Sequence, residues 1–126
     1  MTIDEFTKEL SSMQDYLEIT TSNNGDELTD RLAQLNVYLA RSGKLLADAK
    51  AIQEAKTAEV FGAYFSQITK MPATIAQKFI QAQTKDINYI VNWAERVNRA
   101  IVHQGDNIRT QISFEKENLR LTKSGY

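Results

Sequence analysis

Glycine and proline are scarce in this chain, and their scarcity limits its fold more than any other feature of the sequence. The 126 residues include 5 Gly and 1 Pro. Architectures built from strands and tight turns need many such residues to reverse the chain. Hydrophobic residues make up 42% and charged residues 25%, a composition typical of a globular protein rather than of a disordered tail. We therefore expect a single domain built from long helices.

The first helix is predicted over residues 3–19. Thr2 and Glu5 have the spacing of a capping box, in which two side chains satisfy exposed backbone N–H groups at a helix start. Apolar residues then follow at spacings of three and four and form one seam: Ile3, Phe6, Leu10, Met13 and Leu17. The polar run after Ile19, which ends in Gly25, indicates a turn.

Two longer helices are predicted over residues 25–69 and 72–121. Asn24 is the expected N-cap of the second helix, and Pro72 suits the first position of the third. Heptad spacing in the second helix gives the seam Leu28, Leu32, Leu35, Leu39, Ser42 and Leu46. The seam of the third helix contains Ile75, Phe79, Ala82, Ile87, Ile90, Ala94, Val97, Ile101, Ile108, Ile112 and Leu119. Because Gly105 lies on that seam, we expect a close contact or a mild kink there within one continuous helix.

The predicted fold is therefore all-α, a three-helix antiparallel bundle with two long coiled-coil-like helices. A helix of roughly 40 residues is about 60 Å long, and such a helix is expected to pack against another subunit. One stripe of the second helix contains only small residues, which let another helix approach closely: Gly43, Ala47, Ala51, Ala55 and Ala58. We predict a homo-oligomer, with packing of the long helices within or between chains left open.

The residue inventory excludes several chemistries. The chain has no Cys, which rules out disulfides, thiolate metal sites and cysteine nucleophiles within one chain. His103 is the single histidine, and no glycine-rich phosphate-binding motif occurs. No apolar run approaches the roughly 18 residues of a membrane span, and the N-terminus lacks a signal-peptide pattern. The sequence predicts a cytoplasmic protein with no cofactor and no membrane partner.

Charge is distributed unevenly along the chain. The formal net charge is −1, but residues 1–30 contain eight acidic residues and one basic residue, whereas residues 31–126 contain eight acidic and 14 basic residues. Acidic residues are favoured at helix starts by the helix dipole. We also expect the acidic and basic regions to complement each other within or between subunits.

The strongest candidate site is a polar face of the third helix beside Tyr89 and Trp93. Its members recur at spacings of three and four: Asn92, Arg96, Arg99, His103 and Asn107. Guanidinium groups, an imidazole and aromatic rings suit a phosphate or carboxylate ligand. The alternative is a solvated helix face on which Arg99 pairs with Glu95 and Asp106. No spacing supports a catalytic triad around the histidine.

A weaker candidate for a metal site is a set of carboxylates that flank the first turn: Asp15, Glu18, Glu27 and Asp30. Antiparallel helices bring such pairs together in all-helical enzymes that use Mg²⁺ to hydrolyse nucleotides. Acid-rich segments also produce these spacings by chance. The Glu-x-x-His repeats of di-iron bundles are absent from the sequence.

Two stretches carry a family resemblance. They are residues 35–50, LNVYLARSGKLLADAK, and residues 87–121, whose core follows the pattern V-N-W-x-[ED]-R…H-Q…R-[ST]. They resemble small helical proteins that are encoded by bacteriophages, prophages and integrative elements. In those relatives cysteines tend to stand at the positions of Ala94 and Ile101, which are apolar here and indicate core positions. The residues that match the pattern are Trp93, Arg96, His103, Gln104 and Arg109.

The resemblance implies a phage setting and no established activity. We predict a non-enzymatic accessory protein of the host cytoplasm that acts by binding, as in the inhibition of a host defence through capture of a protein or a phosphorylated small molecule. The candidate binding residues are Trp93, Arg96, Arg99, His103, Gln104, Asn107 and Arg109. Two alternatives stay open. One is a nucleic-acid-binding accessory factor of replication or recombination, although the basic residues are spread among acidic ones. The other is a Mg²⁺-dependent nucleotide hydrolase.

Overall fold

The computed structural model describes residues 1–20, 22 and 24–123, and this part of the chain is helical with short connections and no strands. The described residues form five helices: α1 (Ile3–Leu17), α2 (Gly25–Ala63), α3 (Phe65–Ile68), α4 (Ala73–Gln83) and α5 (Lys85–Lys123). The all-α prediction is confirmed. The predicted count of three helices is not, because both long helices are interrupted.

Both predicted N-caps form, but the predicted capping box is only half formed, because no hydrogen bond in the described part of the chain joins the backbone N–H of Thr2 to the side chain of Glu5. The Thr2 hydroxyl accepts a hydrogen bond from the backbone N–H of Glu5 at 3.2 Å. The Asn24 side chain accepts from the backbone N–H groups of Asp26 and Glu27 at 2.9 and 3.3 Å. Each cap satisfies donors that have no partner within the helix. The polar run between the helices includes residues 21 and 23, which lie outside the described part.

The ends and interruptions of the helices differ from the prediction. α1 ends at Leu17 rather than at residue 19, and α2 ends at Ala63 because Tyr64 leaves the helical conformation, with φ −115° and ψ 26°. Pro72 is the N-cap of α4 rather than its first residue. A second break at Thr84, with φ −113° and ψ 19°, separates α4 from α5.

Gly105 causes no break, since α5 continues through it. The residue is buried, but a Cβ atom built there would lie 3.9 Å from Cδ1 of Leu32, which is an ordinary contact. The predicted continuity of the helix through this glycine is confirmed, and the space beside it does not require a residue without a Cβ atom. α5 continues two residues beyond the predicted end at residue 121, to Lys123, and residues 124–126 lie outside the described part.

α1, α2 and α5 pack around a common core. α2 and α5 are antiparallel, because hydrogen-bonded pairs descend along α5 as they ascend along α2: Arg31 with Gln104, Ser42 with Asn98, and Gln53 with Asn88. The three members on α2 are 11 residues apart, which is about three turns and places them on one face. α1 runs antiparallel to α2, as the Glu9–Arg41 and Tyr16–Arg31 contacts show.

The core confirms most of the predicted seams. Its largest fully buried apolar side chains come from all three helices: Phe6, Leu10, Leu28, Leu35, Leu45, Ile87, Ile90, Val97 and Ile101. Leu45 and Ala49 of α2 were not predicted to belong to it. Ile75 and Leu119 were predicted to belong to it, but they are 51% and 61% exposed.

The end of the molecule that contains α3 and α4 has little hydrophobic core of its own. Ile68 is buried, whereas no residue within α4 is. Aromatic rings pack there in pairs, the exposed Phe61 with Phe65 and the exposed Tyr64 with the half-buried Phe79, at centroid separations of 5.6 and 5.1 Å. This end is therefore held by surface contacts rather than by a buried apolar layer.

Four of the five small residues of the α2 stripe are not covered by any other helix in the described part of the chain. Ala47, Ala51, Ala55 and Ala58 are all exposed, and Gly43 is half-buried. A Cβ atom built at Gly43 would meet only the side-chain amide of Asn98, at 4.0 Å. The intramolecular seam of α2 lies on the opposite face, which contains Leu35, Ser42 and Ala49.

Candidate functional site

A groove of about 610 Å³ between α1 and α5 contains the single tryptophan, and we call it the Trp93 groove. It is lined by Gln14, Tyr89, Asn92, Trp93, Arg96 and Ala100. Counted from Tyr89, the other four residues from α5 follow after three, four, seven and eleven positions, so one helix face presents them together. Of the candidate binding residues, the structure places Trp93 and Arg96 here.

The indole of Trp93 is held in a fixed orientation. Its Nε1–H donates to Oε1 of Gln14 at 3.2 Å, which joins α5 to α1. The Tyr89 ring lies beside it, with centroids 5.9 Å apart and planes inclined by 50°. Trp93 is half-buried, whereas Tyr89 is 65% exposed. The groove therefore offers aromatic surface to a planar ligand.

Arg96 supplies the positive charge of the groove. It is exposed and forms no hydrogen bond or ion pair with another residue in the described part of the chain. All of its guanidinium N–H donors are therefore available, in a planar arrangement that matches a phosphate or a carboxylate. This arrangement places a free cation and two aromatic rings along one groove.

The acidic residues near this face do not pair as the sequence predicted. Glu95 pairs with Lys50 of α2 at 3.4 Å, and Asp106 pairs with Arg109 at 3.1 Å. Arg99 pairs with neither of them, so the predicted pairing of Arg99 is wrong. The partner of Glu95 lies on the neighbouring helix α2. The spacing of residues within α5 cannot predict a contact with another helix.

The remaining candidate residues of α5 lie outside the Trp93 groove. Arg99, His103 and Asn107 are exposed and do not line it. Arg109 is held by Asp106 and by Oδ1 of Asn36, at 3.1 and 3.5 Å. The predicted polar face is therefore divided by the structure, and only its first part belongs to a groove.

The side chain of Gln104 is used in contacts between helices and does not line the Trp93 groove. Its Nε2 donates to the backbone carbonyl of Leu17 at 2.8 Å, and its Oε1 accepts from Nη2 of Arg31 at 3.0 Å. The side chain thus joins the end of α1 to α2 and α5. Half-buried and bonded on both sides, it has little capacity left for a ligand.

Arg31 is a buried cation that the sequence analysis missed. It is 7% exposed, and its guanidinium lies 4.5 Å from the centroid of the Tyr16 ring. Nη2 also donates to the backbone carbonyl of Tyr16 at 3.1 Å, while Nε is buried without a partner. Its position between Leu28 and Leu35 on the predicted seam was the signal that it would be buried.

The four candidate metal-binding carboxylates are not assembled into a site. Glu27 and Asp30 line a shallow groove of about 420 Å³, which Asp15 and Glu18 do not line. Nowhere in the described ranges do three or more His, Cys, Asp or Glu side chains form a group that could hold a metal ion. The arrangement therefore gives no support to a Mg²⁺-dependent hydrolase at this turn.

One ion pair joins the acid-rich start of the chain to its basic remainder. Both side-chain oxygens of Glu9 accept from the guanidinium of Arg41, each at 2.6 Å. These hydrogen bonds lower the pKa of Glu9 and raise the pKa of Arg41. No other ion pair in the described part of the chain joins these two regions, so their general complementarity stays a prediction.

Comparisons with known proteins find no relative of this chain. No protein-family model, no curated protein and no solved structure matches it. Within the described ranges, no helix is both long enough and apolar enough to cross a membrane.

Proposed function

We propose that this protein acts by binding, and that its ligand is a phosphorylated small molecule that contains a planar ring. The observation that carries this proposal is the Trp93 groove, where Tyr89, Trp93 and the unpaired Arg96 share one surface. In this proposal the chain is an accessory protein of a phage or mobile element in the host cytoplasm, where it captures its ligand as part of the inhibition of a host defence. The phage setting rests on the sequence resemblance of residues 35–50 and 87–121.

Nucleotides are the ligand class that fits the groove. A base can stack on the exposed Tyr89 ring beside Trp93, and stacking of this kind contributes about 1–3 kcal/mol per base. The guanidinium of Arg96 can hold a phosphate through two parallel hydrogen bonds. Asn92 adds a side-chain amide between Tyr89 and Arg96 on the same helix. The three contacts lie along one helix face, so a single ligand of nucleotide size reaches them all.

The groove is suited to binding rather than to catalysis. Its lining contains amides, aromatic rings, an alanine and an arginine, and no histidine, carboxylate, serine or cysteine. Those absent side chains are the usual nucleophiles and proton carriers near neutral pH. Among the described lining residues, none therefore has an obvious role in bond cleavage.

Fluorescence of Trp93 provides a direct test, because it is the only tryptophan of the chain. We expect nucleoside monophosphates to change its emission in a saturable manner. The corresponding nucleosides should bind about 10-fold to 100-fold more weakly, because a hydrogen bond to a charged group contributes about 1.5–3 kcal/mol. No saturable change with any nucleotide would refute the proposed ligand class.

Two arginine variants separate the groove from general surface charge. Arg96→Gln should reduce nucleotide affinity to that of the nucleoside, whereas Arg99→Gln, which removes an exposed charge outside the groove, should leave it unchanged. Equal weakening by both variants would show that the binding is non-specific. Oligonucleotides that bind far more tightly than mononucleotides, with a steep salt dependence, would instead support the nucleic-acid alternative.

We also propose that the protein forms a homo-oligomer. The four exposed alanines of the α2 stripe support this part of the proposal, because close helix packing needs small side chains and no helix among the described residues covers them. Ala51→Glu should then reduce the molar mass measured by light scattering, while Ala33→Glu, at an exposed position before the stripe, serves as the control. A monomeric mass for the unmodified protein would refute it.

A further inference from the structure

The break between α4 and α5 opens a second groove, of about 600 Å³, which we call the amide groove. It lies between α2, α4 and the start of α5, and its lining residues are mostly uncharged amides and hydroxyls: Gln53, Thr57, Gln77, Ile80, Gln81, Thr84, Asn88 and Asn92. Asn92 also lines the Trp93 groove, so the two grooves are neighbours on α5.

Hydrogen bonds at the break give the amide groove a fixed wall. Thr84 is 4% exposed, and its hydroxyl donates to the carbonyl of Ile80 at 2.9 Å while accepting from Nδ2 of Asn88 at 3.0 Å. Oδ1 of Asn88 in turn accepts from Nε2 of Gln53 at 2.7 Å. These bonds hold α5 against α2 beside the helix break, so this side of the groove exists before any ligand binds.

The other polar groups of the lining are not used by the fold. In the described part of the chain, the side chains of Thr57, Gln77, Gln81 and Asn92 form no hydrogen bond with another residue. The side-chain carbonyl of Gln53 is also unbonded, since only its Nε2 has a partner. Three complete side-chain amides and one hydroxyl therefore remain for a ligand.

The chemistry of this lining indicates the class of ligand. No ionisable side chain lines the groove, so it does not favour a charged molecule. An Asn or Gln side chain presents a carbonyl acceptor and an NH₂ donor next to each other, which matches the paired donor and acceptor on the edge of a nucleobase. Ile80 provides an apolar wall for the face of a ring. A polyol offers separate hydroxyl groups and no such paired edge.

We propose that the amide groove is a second binding site, whose ligand is an uncharged nucleobase or nucleoside. Gln77 and Gln81, one turn apart on α4, read the edge of the base, and Ile80 packs against its face. The site shares Asn92 with the Trp93 groove, but Gln77, Gln81 and Ile80 line only the amide groove, which contains neither an aromatic ring nor an arginine.

NMR titration of the full chain with free adenosine, guanosine, cytidine and uridine tests this site. We expect at least one nucleoside to shift the side-chain NH₂ signals of Gln77 and Gln81 in a saturable manner. Gln77→Ala and Gln81→Ala should each weaken this binding roughly threefold to tenfold, which corresponds to one hydrogen bond. Both side chains are exposed, so the variants are expected to fold.

Three controls make the test decisive. Gln83→Ala changes an exposed glutamine of the same helix outside the groove and should have no effect. Arg96→Gln should leave these NH₂ shifts unchanged, so a failure of the Trp93 groove does not affect the result. Nucleoside monophosphates should bind the amide groove no more tightly than nucleosides.

The proposed site is wrong if no nucleoside gives saturable shifts at Gln77 and Gln81, or if ribose alone gives the same shifts. Equal weakening by Gln83→Ala would also overturn it, as would monophosphates that bind the groove more than tenfold more tightly than nucleosides.

Discussion

The two ends of the long α2–α5 pair differ in what covers them. Where α1 packs on the pair, Leu10, Leu35 and Ile101 are almost fully buried. At the other end, α4 buries no residue completely, and the side-chain amides of Gln77 and Gln81 line a groove without a partner in the described part of the chain. Apolar burial stabilises a fold without specifying a ligand, whereas unsatisfied amides at a surface are available for binding. Stability is therefore expected to be concentrated where α1 packs, whereas the two proposed binding grooves extend from the edge of α1 to α4.

The largest expected difference comes from truncating one apolar side chain at each end. Leu35→Ala removes a side chain that is 1% exposed and should lower the free energy of unfolding by about 2–5 kcal/mol. Ile75→Ala on α4, where the side chain is 51% exposed, should change it by about 0.5 kcal/mol or less. Urea denaturation followed by circular dichroism measures both. A comparable loss for Ile75→Ala would mean that α4 is covered in solution.

A smaller effect is expected from the polar contact that joins α1 to the pair. Gln104→Ala leaves the guanidinium of Arg31 and the carbonyl of Leu17 without this partner, and should cost about 1–3 kcal/mol of unfolding free energy. His103→Ala, at the exposed neighbouring position, is the matched control. If the two variants unfold at the same urea concentration, Gln104 does not hold the helices together.

The hydrogen bond between Gln53 and Asn88, at the α4 end, should contribute less to the free energy of unfolding than the contacts of Gln104. Asn88→Ala removes the acceptor of the Gln53 amide and the donor to the Thr84 hydroxyl, and should cost about 0.5–1.5 kcal/mol. Asn92→Ala, one turn further along α5 and exposed, should have almost no effect on stability. Thermal unfolding of both variants checks the difference. A loss at Asn88 as large as that of Leu35→Ala would contradict the contrast between the two ends.

The smallest effect concerns pH and the Glu9–Arg41 ion pair on the α1 side. Because the pKa of Glu9 is lowered in the folded state, its contribution is present above the unfolded pKa, ordinarily about 4.3, and is lost as the pH falls through the folded pKa. Arg41→Gln should therefore lower the melting temperature slightly at pH 7, with a difference that shrinks as the pH falls below the unfolded pKa and through the lowered pKa of Glu9. The double variant with Glu9→Gln tests whether the pair is responsible, since its effect should match that of Arg41→Gln alone.

The candidate site was predictable only in part. Trp93 and Arg96 were identified because helical spacing places them on one face, and that rule depends on local geometry alone. Gln14 could not be assigned to the same groove, since its contact with Trp93 joins residues 79 positions apart. The amide groove was missed for a related reason. Its residues come from three helices, and a break at Thr84, which neither glycine nor proline marks, brings them together.

The sequence by itself determined the helical class, the capped starts at Thr2 and Asn24, and the apolar seam of α1. These features depend on interactions within a few residues, which spacing and side-chain chemistry specify. Only the tertiary structure decided where the long helices break and which polar residues of α5 face a groove. It also decided that Gln104 binds inward to Arg31, and that Arg99 remains outside the groove that contains Arg96. Those outcomes depend on which helix packs against each residue. That packing is determined by contacts between residues that are distant in the sequence.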